Sequence, residues 1–141
     1  AVHRGVSVQK LSESVSTRMG VGYTQSVRLV RTELNYVQNH AILDGIEDSG
    51  MKYYRFVATL DKRTSPQCRS HDGNVYKVSE YSPGTNAPPL HPHCRSTIVG
   101  SLGGDSKPRG QRAARNVDGK YIRVPADMTY DKWKSTYIGD D

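Results

Sequence analysis

Apolar positions early in the chain recur at helical spacing. Val8, Leu11, Val15 and Met19 follow Ser7, a residue suited to capping a helix, and Gly20 stands where such a helix would stop. After the Gly20 to Gly22 break, Val27, Val30, Leu34, Val37 and Ala41 mark a second stripe that runs on through Ile42 and Ile46 to Gly50. Two amphipathic helices are therefore predicted, the second longer than the first. From Tyr53 to Leu60 the pattern becomes β-rich, with Tyr54, Phe56 and Ala58 on one face of a strand. Extended segments are also expected at Val75 to Val78, after the Asp72-Gly73 turn signal, and at Ser96 to Leu102, so that the three form a small antiparallel sheet.

Between the last two segments, Ser82 to Pro92 is rich in proline, which fixes φ and removes backbone donors. Such a stretch runs as an ordered loop or stays mobile, and an anchor at its end would decide which. The Gly- and Arg-rich stretch from Gly103 to Arg123 has few groups to bury and is predicted to be flexible. Val124 to Tyr137 predicts a capped amphipathic helix with Met128, Trp133 and Tyr137 as docking residues. The expected architecture is α+β: N-terminal helices on a small antiparallel sheet with a stapled loop, a flexible basic segment and a C-terminal helix. It divides the chain into a domain at 1–102, a linker at 103–123 and a helical tail at 124–141. No internal repeat is visible.

A chain of 141 residues suffices for one domain that buries roughly two-thirds of its unfolded surface. Its 35% hydrophobic content and single Trp and Phe make a modest core, although nine Tyr add large rings with a polar end. Part of the chain is accordingly expected to lie extended or in partner contacts. The net charge of +6 favours polyanions and concentrates at Lys107, Arg109, Arg112, Arg115, Lys120 and Arg123, against Asp105 and Asp118. DNA or an acidic protein surface would suit this stretch, as would plain solvation. No apolar run is long enough to span a bilayer, and Ala1 to Lys10 lack the core of a secretion signal. The start at Ala1 rather than Met suggests processing or excision from a longer chain.

The candidate chemistry is metal binding. Cys68 and His71 form one pair with two intervening residues, and His91 and Cys94 form another, a spacing that lets each tight turn offer two ligands to one tetrahedral ion. Thiolate and imidazole favour zinc, and four protein ligands would make the site structural rather than catalytic. His93 is an alternative to His91 or His71, while His3 and His40 read as ordinary exposed or partly packed side chains. Arg31-Thr32-Glu33 lies near the core boundary of the second helix, where an ion pair with Asp61 or Arg63 is expected; the catalytic alternative makes Glu33 a general base beside a metal-bound water.

In order and spacing, Arg31-Thr-Glu, Asp61-Lys-Arg-Thr-Ser-Pro-Gln-Cys68 with Asp72-Gly73, and Pro88-Pro-Leu-His91-Pro-His-Cys94-Arg95 resemble the head morphogenesis domain of phage Mu protein F-like proteins. The resemblance covers about Arg4 to Leu102, and Val124 to Trp133 is similar to the ends of many such minor head proteins. It implies a low-copy protein inside the phage head near the portal, acting in head assembly or genome delivery without catalysis. Its implied partners are portal and capsid proteins, with phage DNA reached through the basic segment, and neither a membrane nor a small-molecule substrate. Assembly would pass through the host cytoplasm. Relatives often begin with a longer helical region, so this chain resembles the carboxyl-terminal part of one. The motif carries Cys68, His91 and Cys94 directly; Ser65 and Ser96 stand where relatives frequently have cysteine, and His71 where an apolar residue is expected. Two other classes compete: a zinc-dependent nuclease or effector enzyme, which needs an open coordination position, and a DNA-binding module using Arg109, Arg112 and Arg115.

Overall fold

A computed structural model describes residues 7–103 and 107–139 of the chain; His3 and Asp105 lie outside them. Ser7 caps α1 (Val8–Met19), its hydroxyl accepting from Lys10 N at 3.1 Å, and Gly20 ends the helix with a left-handed φ of 66°. α2 runs from Tyr23 to Asp48. The two helices pack against each other, and each buries one serine completely, Ser12 on α1 and Ser26 on α2. Met19 is exposed rather than docked.

The buried stripe of α2 departs from the expected one. Val30 and Ile46 are buried as predicted, but Val37 and Ala41 face solvent, and Ser26, Asn39 and Leu43 take their place. The reason lies in the strand beneath. Asn39 Oδ1 accepts from Ile98 N at 3.2 Å and its Nδ2 donates to Ser96 O at 3.3 Å, while Asn35 Nδ2 donates to Cys94 O at 2.9 Å and Ser96 O at 3.0 Å. Buried backbone groups at that edge need partners, so amides outcompete aliphatic side chains for the inward face.

The sheet beneath α2 is antiparallel, in the order β2 (Val75–Lys77), β1 (Tyr53–Val57), β3 (Thr97–Ser101). As expected, Tyr54, Phe56 and Ala58 share the covered face, and Tyr54 and Ile98 join Leu43 and Ile46 of α2 in one core cluster. β1 stops at Val57, short of the predicted end, and Leu60 instead bridges to Ala114. A short helix, α3 (Pro66–His71), begins behind Ser65, whose hydroxyl accepts from Cys68 N at 3.2 Å. The Pro-rich loop is ordered: Asn86 Oδ1 accepts from Ser82 N at 2.8 Å and lies 2.8 Å from the Tyr54 hydroxyl, and Ala87 is fully buried.

The stretch predicted to be a flexible linker is instead a hairpin, β4 (Gln111–Arg115) and β5 (Tyr121–Pro125), closed by a turn in which Gly119 has φ 79°. Alternate residues turn inward on both strands. Ala114 and Val124 join Leu60, Tyr130 and Trp133 in a second core cluster, and Arg112 is matched by Asp72, to which its Nη2 donates at 2.9 Å. The terminal helix is shorter than expected: Val124 belongs to β5, and Thr129 caps α4 (Tyr130–Trp133), which widens into a π turn over Lys134–Ile138. Trp133 docks fully buried and Met128 packs beside it, but Tyr137 is exposed and Tyr130 takes the third docking position. Among the described residues, no helix is long and apolar enough to cross a membrane.

Candidate metal centre

The first turn of α3 carries Cys68, and the turn ending the Pro-rich loop carries His91 and Cys94. Ser65 and Pro66 start that helix at the position where its first turn aims Cys68 into the core. The second turn is closed by Cys94 N donating to His91 O at 3.2 Å, and Asn35 holds the Cys94 carbonyl from α2. Cys68 and Cys94 are buried beside Phe56 and Ala58.

The three ligand atoms converge within 4.8 Å of one another. Cys68 Sγ lies 3.7 Å from Cys94 Sγ and 3.2 Å from His91 Nε2. The sulfur separation is far beyond a disulfide bond, whereas two thiolates on a tetrahedral zinc with Zn–S near 2.3 Å sit about 3.8 Å apart. The imidazole is oriented for the same task. His91 Nδ1 lies 2.7 Å from Pro92 O, and a carbonyl only accepts, so Nδ1 carries the proton and Nε2 faces the sulfurs with its lone pair. The thiols share a proton. The hydrogen bond with Cys68 pulls the Cys94 thiol well below its ordinary range, backed by backbone bonds from Leu90 and Ser96, while that same bond and burial push Cys68 up. The direction at Cys94, toward the thiolate, suits a cation. The donor set fits zinc, and Cys68, His91 and Cys94 could hold such an ion.

His71 does not join this group. Its Nδ1 lies 2.6 Å from the Tyr76 hydroxyl and its ring packs on Phe56 at 5.3 Å, an aromatic setting that accounts for an apolar residue being expected there. His93 has a left-handed φ of 62° and lines a small cavity of 40 Å³ together with Ser65, Cys68, His91 and Ser96. The expected partners of Arg31 and Glu33 are also reassigned: Asp61 is bound by Arg95, whose Nη2 donates to its Oδ1 at 2.8 Å while Nη1 reaches Oδ2. Those hydrogen bonds hold the Asp61 carboxyl below its usual range, against the opposing effect of burial. Glu33 lies exposed and lines neither this cavity nor the groove beside it.

Sequence reasoning missed three features here: α3, the asparagine clamp and the Asp72–Arg112 pair. Ser65-Pro66 was a usable signal for the first. The second and third depend on contacts between residues more than thirty positions apart, and local pattern carries no trace of them.

The family model for phage Mu protein F like protein matches residues 1–99. The chain belongs to the phage Mu protein F like family. The match includes Cys68, His91 and Cys94 together with both helices that frame them, whereas the β4–β5 hairpin and α4 follow it. Membership makes this a phage head morphogenesis protein, with phage structural proteins as its natural partners. No curated protein and no solved structure matches the chain.

Proposed function

We propose that this chain is a minor head protein that acts without catalysis at the portal end of the capsid, with Cys68, His91 and Cys94 holding a zinc ion that staples the Pro-rich loop to α3. Family membership supports the head role. The observation that carries the staple is the 3.7 Å separation of two sulfurs more than twenty residues apart in sequence, faced by an imidazole with its lone pair toward them. Bound zinc would supply charge neutralisation and a rigid cross-link to groups that otherwise crowd one another. Portal and capsid proteins are the proposed partners, within the virion and earlier in the host cytoplasm. The DNA role given to Arg109, Arg112 and Arg115 weakens, because Arg112 is engaged by Asp72.

Metal analysis tests the staple. The purified chain is expected to carry one zinc per molecule, and Cys94→Ser to lose it and melt at a lower temperature; a metal-free parent that melts like the variant sinks the proposal. Immunogold labelling of heads tests the location, with gold expected at one vertex rather than spread over the shell.

A second reading has one observation in its favour. Three protein ligands leave a coordination position for water or substrate, as in hydrolytic zinc sites. Against it stand the exposed position of Glu33 and the serine hydroxyls and His93 that surround the remaining position. Supercoiled and single-stranded DNA incubated with the chain and divalent ions are expected to stay intact; metal-dependent nicking lost in Cys94→Ser would favour the enzyme.

A further inference from the structure

The loop that carries His91 and Cys94 also forms one wall of an open groove of 1260 Å³, and α2 forms the other. Arg31, Leu34, Gln38 and Ile42 recur every three or four positions along the helix and all line the groove, in a row about 16 Å long. The row changes character along its length. Arg31 stands at one end of the row, Ile42 at the other with Leu34 between them, and Arg63, Arg95 and His93 line the same groove.

Two facts give the cationic end an unmet demand. Among the described residues, no carboxylate lines the groove. Arg95 is matched by Asp61, whose charge also reaches Arg63, but among the described residues neither the exposed Arg31 nor the exposed Arg63 guanidinium makes a hydrogen bond or a salt bridge of its own. A guanidinium is a planar fork of donors built to receive a carboxylate or phosphate.

We propose that this groove docks a segment of another protein in which carboxylates stand beside aliphatic side chains, its acidic part over Arg31 and Arg63 and its aliphatic part on Leu34 and Ile42. A nucleic acid strand would satisfy the arginines but leave the aliphatic end unmatched, and no Phe, Tyr or Trp lines the groove to stack a base. The exposed Gln38 amide, midway along the row, is placed to bond the backbone of an extended peptide. The chain's net charge of +6 steers it toward an acidic partner. The proposal rests on the assembly reading only for the partner being a protein.

The test selects peptides from a random library on the intact chain as purified. Selected peptides are expected to be rich in Asp or Glu next to Leu, Ile or Val, and a synthetic copy of one to bind about tenfold more weakly to Arg31→Gln/Arg63→Gln and to Ile42→Ser. Both variants change exposed positions, so unchanged melting confirms that the groove alone was altered. Selection without acidic enrichment, or equal binding to the double variant, overturns the proposal. So does an oligothymidine strand that binds the parent more tightly than the peptide, loses affinity in the arginine variant and keeps it in Ile42→Ser, since that pattern marks a nucleic-acid groove. Because the assay contains no phage component, a negative result removes the groove proposal and leaves the head-protein reading standing.

Discussion

Asp72→Ala should be among the most damaging single substitutions in the chain. The Asp72 side chain is 1% exposed, and its carboxylate accepts from Ala58 N at 2.8 Å, Tyr130 N at 2.8 Å, and Arg112 Nη2 at 2.9 Å and Nη1 at 3.1 Å. Its removal strands two backbone N–H groups and an almost buried guanidinium. Taking one partner from a buried ion pair costs about 3–5 kcal/mol, and Arg112 keeps its bonds to the Ala58 and Met128 carbonyls, so about 4 kcal/mol is a fair central value. With an unfolding entropy of about 2.1 cal/mol/K per residue, 141 residues give about 0.3 kcal/mol/K and a fall in Tm of about 13 °C. If 103–123 were instead a solvated linker, the change would stay within about 0.5 kcal/mol. Calorimetry reads the difference, and limited trypsin digestion shows where it arises: cleavage after Arg115 should accelerate in the variant. Asp72→Leu/Arg112→Met, which removes both charges, should recover only the part due to the stranded guanidinium, because the Ala58 and Tyr130 N–H groups stay unpaired. A single variant that melts within about 2 °C of the parent refutes the reasoning.

Three further outcomes follow from the site. Asn39→Ala takes the amide partner from Ile98 N, while Ser96 O keeps Asn35, and should cost about 1–3 kcal/mol in urea unfolding, together with a weaker hold on the proposed zinc in chelator competition. Ser96→Cys places a third thiol beside Cys68 at a position only 2% exposed, and should tighten zinc by completing a three-cysteine, one-histidine set; Ser65→Cys should gain less, because it also removes the α3 cap. For Asp61, whose folded pKa is depressed below 3.8, the contribution to stability is complete above that value and is lost as pH falls through the lower folded one. The Tm gap between parent and Asp61→Asn should therefore be flat near neutrality and narrow only in acid below about pH 3.8; a gap that closes near neutrality would contradict the assignment to Arg95.

What the sequence made legible follows the range of the interactions. Ser7 and Gly20 bound α1 because capping is decided within one turn, and Tyr54, Phe56 and Ala58 share a face because a strand alternates whatever lies opposite. His71 stands apart from the converging group for the converse reason. Spacing places a side chain near its neighbour in sequence, but the ring's direction was settled by Phe56 and Tyr76. The hairpin was lost because Arg112 counts as polar in any local reading, and only Asp72, forty residues away, makes an inward arginine tolerable. Asn35 and Asn39 misled in the same way. Their value depends on the unpaired backbone of residues 94–98, which α2 meets only in the fold.

That clamp bears on what the proposed zinc would do. Classical zinc fingers are unfolded without their ion because nothing else brings the ligands together. Here the Cys94 carbonyl is tied to Asn35, Cys68 sits behind a capped helix, and Asn86 and Ala87 already anchor the middle of the Pro-rich loop. Chelation should therefore lower Tm without unfolding the chain, and far-UV circular dichroism at room temperature should barely change. The turn from His91 to Cys94 supplies two of the three proposed ligands, and it also supplies His93 and Pro92 to the groove that Arg31 and Leu34 line. Zinc removal should then weaken peptide binding in the groove although no groove arginine is altered, and zinc readdition should restore it. Peptide affinity that is indifferent to chelation would separate the two sites and reduce the ion to a purely local staple.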